Sequence, residues 1–278
     1  MDETPASPPR RRPPDWLLYL AVVAAVVIAA SGQKEHADAP PAPPPLDAAD
    51  QALSAGSGLK AKPLPAADQE AVSGTAFSIS DKGVWLTARH VVQGCGKAAV
   101  MVSPGRGVVA KVSADPSSDV AVLTTEGGAP PLPLASGTPG EGTRGFHPGF
   151  PHGSPGEAAS RLLGRDVLNG RTRGSRPEAV LAWAEAGRTD GLKGSLAGLS
   201  GAPVLDRAGR VIGVTLAEAP RRGRIYSSPP EAIRAALARA GQSPSGFARG
   251  QSITTDNYGR AADDLRRDLR VVQVVCLS

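Results

Sequence analysis

Three residues of this sequence have types and an order that suit acyl transfer. Ser200 lies in Gly198-Leu199-Ser200-Gly201-Ala202-Pro203, with Val204-Leu205-Asp206 directly behind it. His90 lies in Leu86-Thr87-Ala88-Arg89-His90-Val91-Val92, and Asp119 stands directly before Val120-Ala121-Val122-Leu123. A serine hydroxyl is a weak nucleophile alone. It needs a base to take its proton, a group to orient that base, and donors for the oxyanion that develops. Ser200 is read as the nucleophile, His90 as general base and then acid, and Asp119 as the orienting carboxylate. The backbone N–H groups of Gly198 and Ser200 would form the oxyanion hole. Glycine at 198 lets the turn present its N–H without a Cβ in the way. Gly-x-Ser-Gly also occurs in ordinary turns, and a lone histidine is more often structural, so the weight rests on the three together. Asp115 competes with Asp119, but Asp115-Pro116 reads as turn initiation.

Such a site must be carried by rigid elements, and the sequence from Val72 onward supplies strands. Short β-branched runs alternate with glycine and proline turns at 74–80, 84–88, 98–103, 108–112 and 120–125. A second group follows at 142–146, 159–168, 179–185, 202–205, 211–216 and 224–227, after a break rich in proline and glycine near 127–142. Many short strands in two groups predict an all-β sandwich or barrel arrangement. Trp85 reads as core, and Arg221-Arg222-Gly223-Arg224 as a solvated hairpin tip. After Pro229 the pattern turns helical, opened by Pro230 and ended by Gly241. Residues 258–269 read as a second helix and 270–277 as a last strand.

The N-terminus has a different texture. Residues 1–15 are proline-rich and carry Arg10-Arg11-Arg12. The uncharged apolar run from Trp16 to Gly32 would make about 25 Å of helix, at the short end for a membrane span. As a signal anchor at 16–32 it would keep the arginines in the cytoplasm and place the rest in the periplasm, on a single-pass inner-membrane protein. As a signal peptide it would be cut near Ala29-Ala30-Ser31 and the chain secreted to the periplasm. Residues 33–70 are rich in alanine and proline and read as a spacer. The division expected is a basic tail at 1–15, an anchor at 16–32, a linker at 33–70, a folded domain at 71–241 and a C-terminal tail at 242–278.

Composition excludes some classes. A net charge of +5 with aromatics at 4% and arginines scattered rather than interleaved shows no nucleic-acid stripe. His147 and His152 read as loop residues without the company that a metal site needs, and no cofactor is expected. Cys95 and Cys276 lack metal-ligand spacing. An even count in an exported chain points to one disulfide, the alternative being two unrelated buried thiols.

The same segments carry a resemblance. Gly74-Thr75-Ala76-Phe77, the His90 and Asp119 segments, Gly149-Phe150-Pro151-His152-Gly153 and Gly198–Val204 together resemble the trypsin-like serine peptidases of the chymotrypsin clan. They are closer to the bacterial HtrA-type enzymes than to the digestive ones. Ile225-Tyr226-Ser227-Ser228-Pro229, leading into a helix, is similar to the family's last strand. The resemblance covers about residues 70–240. It implies two perpendicular Greek-key β-barrels with the triad between them and a C-terminal helix. It also implies a serine endopeptidase that acts on protein or peptide substrates through an acyl-enzyme. The sequence departs from the pattern in four ways. Leu199 stands where activated digestive enzymes have an aspartate, so activation by that ion pair is not expected. Ala202 replaces a glycine, and Arg89 replaces the usual alanine or glycine beside the histidine. Too few residues follow the region for a PDZ domain, so regulation through one is not expected. No acid stands at a pocket-base position near 194–197 or 214–217, so cleavage after lysine or arginine is not expected, and a small or aliphatic residue before the cleaved bond is. The rival reading is a peptidase-like fold that binds a protein partner in the envelope and cleaves nothing. A passive envelope scaffold is a third.

Overall fold

The computed structural model describes residues 58–64, 73–168, 177–246 and 248–277. Among them no helix is long and apolar enough to cross a membrane. The run Trp16–Gly32, expected to be an anchor or signal peptide, lies outside the described residues, as do residues 33–57 and 65–70 of the spacer.

The β-branched runs become strands close to where the sequence placed them. In chain order they are β1 (Lys62–Pro63), β2 (Ser73–Ser80), β3 (Val84–Ala88), β4 (Lys97–Ser103), β5 (Arg106–Ala114) and β6 (Val120–Thr124). The second group is β7 (Arg144–Gly149), β8 (Gly156–Leu168), β9 (Glu178–Arg188), β10 (Pro203–Leu205), β11 (Val211–Ala219) and β12 (Arg224–Ser227), and β13 (Val271–Leu277) comes last. Among the described residues the α-helices are the one-turn α1 (Arg89–Val92), α2 (Pro230–Arg239) and α3 (Tyr258–Arg267).

The strands close into two barrels. The first runs β5-β4-β13-β2-β3-β6 and is closed by pairing of β6 with β5. The second runs β10-β11-β12-β9-β8-β7, closed where Leu205 meets Phe146. Closure removes exposed strand edges. Phe77, Trp85, Leu86 and Leu123 fill the first barrel, and Leu181, Trp183, Val204 and Ile225 the second. Both tryptophans are fully buried and find an acceptor for the indole N–H: Trp85 donates to Thr125 Oγ1 at 2.8 Å and Trp183 to Ser227 Oγ at 2.9 Å.

Two segments set apart by sequence belong to this fold. Val271–Leu277, placed in a tail beyond residue 241, lies between β2 and β4, with Val272 opposite Ala76 and Val275 opposite Ala99. Within the spacer, Leu59 is buried against the first barrel, and Lys62–Pro63 pairs with Arg106–Gly107. Proline is tolerated there because β1 is an edge strand.

The C-terminal elements also grip the second barrel. The buried Arg266 of α3 donates to Glu157 Oε2 at 3.0 Å and to the carbonyls of Gly149 and Gly156 at 3.3 Å, and it pairs with Asp263. Tyr258 packs on Phe146, ring centres 5.7 Å apart. A disulfide joins Cys95, behind α1, to Cys276 of β13 across 181 residues, as the even cysteine count suggested.

Candidate active site

Strand pairing brings the first two candidates together. β3 and β6 are antiparallel neighbours with Ala88 opposite Val120. The chain leaves β3 into α1 and enters β6 from Asp119, so His90 and Asp119 face each other at the same barrel end. The Arg89 N–H donates to the Asp119 carbonyl at 2.8 Å, and the His90 N–H to Asp119 Oδ1 at 3.0 Å. His90 Nδ1 lies 2.8 Å from Asp119 Oδ2. A carboxylate accepts, so Nδ1 carries the proton and Nε2 is left with its lone pair.

Arg89 does not line the cleft. Its Nε donates to the Ser118 carbonyl at 2.9 Å and its Nη1 to Gln93 Oε1 at 3.0 Å, which leaves Nε 4.0 Å from Asp119 Oδ1. Its charge therefore lies beside the carboxylate that faces His90. On the other side Glu178, the first residue of β9, accepts the Asp119 N–H on both oxygens, at 2.9 and 3.1 Å. The Ser118 hydroxyl also donates to it, at 3.3 Å. Burial raises the Glu178 carboxyl above its usual range, and the Asp119 charge adds to this while the Asp119 N–H opposes it.

Ser200 sits in a tight turn between β9 and β10. The Leu199 N–H donates to the Leu196 carbonyl at 2.9 Å, and the Ala202 N–H to that of Leu199 at 3.0 Å. Gly198 and Gly201 hold φ of 95° and 89°. A Cβ on Gly198 would lie 2.5 Å from the Phe150 carbonyl oxygen, and one on Gly201 2.0 Å from that of Thr75. The carbonyls of the turn are held from outside. The His152 N–H donates to Ala197 O at 2.5 Å and the Thr75 hydroxyl to Gly198 O at 2.9 Å. Since a trans peptide sets its N–H opposite its C=O, the bond at Ala197 O turns the Gly198 N–H away from His152. Among the described residues, neither the Gly198 nor the Ser200 N–H donates to a protein acceptor. The Ser200 hydroxyl donates to the Leu216 carbonyl at 3.4 Å, and no hydrogen bond joins it to His90.

His90 and Ser200 line one cleft of about 240 Å³, with Leu196, Leu216, Glu218 and Ile225 among its other walls. Among the described residues no group of histidine, cysteine and carboxylate side chains could hold a metal.

His147 is not the loop residue that the sequence suggested. It lies inside β7, fully buried, bonded to Ser160 Oγ at 2.7 Å and Thr215 Oγ1 at 2.9 Å and edge-on to Trp183. Burial lowers its pKa to about 3, so it is a neutral crosslink between three strands. His152 does lie in a loop turn, where its Nε2 meets the Ser195 carbonyl at 2.7 Å. Glu178 and Glu218 were not singled out from the sequence. Each stands at or near a strand end, and only the pairing of distant strands gives it a role.

The family model for the trypsin-like peptidase domain matches residues 74–214, which include His90, Asp119 and Ser200. Among solved structures, the Rv3671c protease from M. tuberculosis in its active form is 24% identical, with a TM-score of 0.53 over 78% of this chain and 94% of that one. Its inactive form is 24% identical, with a TM-score of 0.50 over 73% and 100%. The HtrA-type protease AlgW with decapeptide is 22% identical, with a TM-score of 0.48 over 60% and 51%. The likeness to the two Rv3671c structures speaks to the fold. The comparison with curated proteins found no match.

Proposed function

This chain belongs to the trypsin-like peptidase family and is a serine-type hydrolase, and from that premise we propose that it is an endopeptidase working through Ser200, His90 and Asp119. The observation that carries the assignment is the pairing of His90 Nδ1 with Asp119 Oδ2 at 2.8 Å, beside a turn with two unused N–H donors. Rotation of the Ser200 hydroxyl from the Leu216 carbonyl toward His90 Nε2 sets up attack; such bonds tighten when substrate binds. His90 takes the hydroxyl proton as Ser200 Oγ bonds to the scissile carbonyl carbon, and the oxyanion is received by the N–H groups of Gly198 and Ser200. The proton passes to the leaving amine, the C–N bond breaks, and an acyl-enzyme remains. Water then repeats the sequence and frees Ser200.

The bond from Ser200 Oγ to Leu216 O favours a second reading, a fold that binds a protein partner and does not cleave. Hydrolysis of unfolded casein by the purified full chain, with Ser200→Ala beside it, tests the choice. Activity abolished by the substitution supports the peptidase; loss of such a serine costs on the order of 10⁶-fold in kcat. Failure of a fluorophosphonate to label Ser200 in the folded protein supports the binding fold.

The setting we infer is the periplasmic face of an inner membrane, with residues 16–32 as anchor. The apolar run, the preceding arginines and a disulfide suited to an oxidising compartment support it. N-terminal sequencing of the protein from washed membranes separates an intact anchor from cleavage near Ala30.

A further inference from the structure

The cleft beside Ser200 is walled by apolar side chains, with one ionisable exception besides His90. Leu196, Leu216, Ala217 and Ile225 form its sides, and Glu218 lines it with them. Strand register explains this. Glu218 of β11 pairs directly with Ile225 of β12, so both side chains stand on one face of the second barrel. Ile225 is fully buried and Glu218 half-buried beside it. Glu218 Oε1 accepts the Leu196 N–H at 2.6 Å, which fixes the carboxylate against a wall residue at the start of the Ser200 turn.

The hydrogen-bond donors to this carboxylate are neutral. Arg188, whose charge also attracts Glu218, is bound by Glu185: Nε donates to Oε1 at 2.5 Å and Nη2 to Oε2 at 2.6 Å. Its Nη1 donates to the Gly194 carbonyl at 2.9 Å. Glu218 receives only the Leu196 N–H and the Ser195 hydroxyl. With all three ionised, Glu185, Arg188 and Glu218 carry one net negative charge, and of the three Glu218 lines the cleft. Arg188 attracts Glu218 but is already held by Glu185, so the partly desolvated Glu218 carboxylate is under-compensated, an arrangement that an incoming cation relieves. Burial raises the Glu218 carboxyl, the direction expected of such a group.

We propose that Glu218 is a specificity-determining residue that pairs with the ammonium or guanidinium of a lysine or arginine preceding the cleaved bond. This rests on Ser200 being the nucleophile. The aliphatic stem of such a side chain lies along Leu196, Leu216 and Ile225, and its charged end meets the carboxylate. The expectation of a small or aliphatic residue gives way because Glu218 stands one position beyond the stretch from which the pocket was read.

The test uses quenched peptides that differ only in the residue before the scissile bond: Arg, Lys, Leu or Ala. Wild type is expected to favour Arg or Lys over Leu and Ala by at least about 100-fold in kcat/KM. Glu218→Gln keeps an acceptor for the Leu196 N–H but loses the charge, and should lower the Arg-to-Leu ratio by about 10- to 100-fold, the range for hydrogen bonds to charged groups. On the wild type alone, benzamidine should inhibit at least about tenfold more tightly than neutral benzamide. A fluorophosphonate-labelled enzyme that prefers Leu or Ala, or a ratio unmoved in Glu218→Gln, overturns the proposal and leaves the peptidase standing. An unlabelled Ser200 removes both at the earlier step.

Discussion

The carboxylate of Glu178, in the second barrel, accepts the backbone N–H of Asp119, in the first, at 2.9 and 3.1 Å. The residue that orients His90 is thus held from across the molecule. Glu178→Gln should lower kcat/KM at pH 8 by about tenfold, since a charged acceptor contributes about 1.5–3 kcal/mol. The Glu178 carboxyl titrates above its usual range because it is buried. Its ionised form makes the clamp, so the clamp weakens as pH falls through that raised value. The ratio of wild type to Glu178→Gln should shrink toward acid pH, and paired pH–rate profiles check it. A constant ratio would mean that Glu178 only supports the fold.

The Ser200 turn gives a second expectation. Gly198 has φ of 95°, and a Cβ would meet the Phe150 carbonyl oxygen at 2.5 Å. Gly198→Ala must move the peptide whose N–H is assigned to the oxyanion hole. Losing one such donor costs about 10²–10³ in kcat. Steady-state kinetics should show that loss in kcat with KM little changed.

His147 contributes to the loss of stability in acid. Its pKa is about 3 in the fold against 6.5 for a free histidine. Between those values the unfolded chain binds the extra proton, so stability is complete above about pH 6.5 and falls as pH drops toward 3. A group wholly protonated on unfolding contributes about 1.4 kcal/mol per pH unit. His147→Gln should start less stable at pH 7 and lose less between pH 6 and 4. Urea titrations at several pH values read that slope.

The disulfide between Cys95 and Cys276 closes a loop of 181 residues. The chain-entropy model sets a ceiling of about 5 kcal/mol for such a loop. Cys276→Ser should lower the unfolding free energy by about 2–5 kcal/mol. Chemical denaturation of the variant and the parent measures it.

The sequence displayed Ser200, His90 and Asp119 because their requirements are local. Two glycines at positive φ frame the serine, and Asp119 stands where an apolar strand begins. His147 was misread because Gly145-Phe146-His147-Pro148-Gly149 has the composition of a turn. The strand continues through Pro148 because β10 pairs with β7 only at Phe146, so the missing N–H of the proline breaks no ladder on that side. Glu178 and Glu218 were invisible for another reason. Their partners, Asp119 and Leu196, are set by barrel closure and register, which no local period encodes. Val271–Leu277 was recognisable as a strand, but its partners in β2 and β4, such as Phe77 and Val100, lie far back along the chain.

That last placement bears on how the molecule is made. The second barrel draws its strands from one continuous stretch, Arg144 to Ser227, and can assemble as soon as that stretch emerges where the domain folds. The first barrel cannot, because synthesis must pass Leu277 before β2 and β4 gain their common neighbour. Until then a nascent chain has its Ser200 half folded and its His90–Asp119 half open, with two strand edges unpaired. A newly made molecule therefore reaches the arrangement proposed for cleavage only once β13 has joined the first barrel, which delays any cutting until that strand is in place.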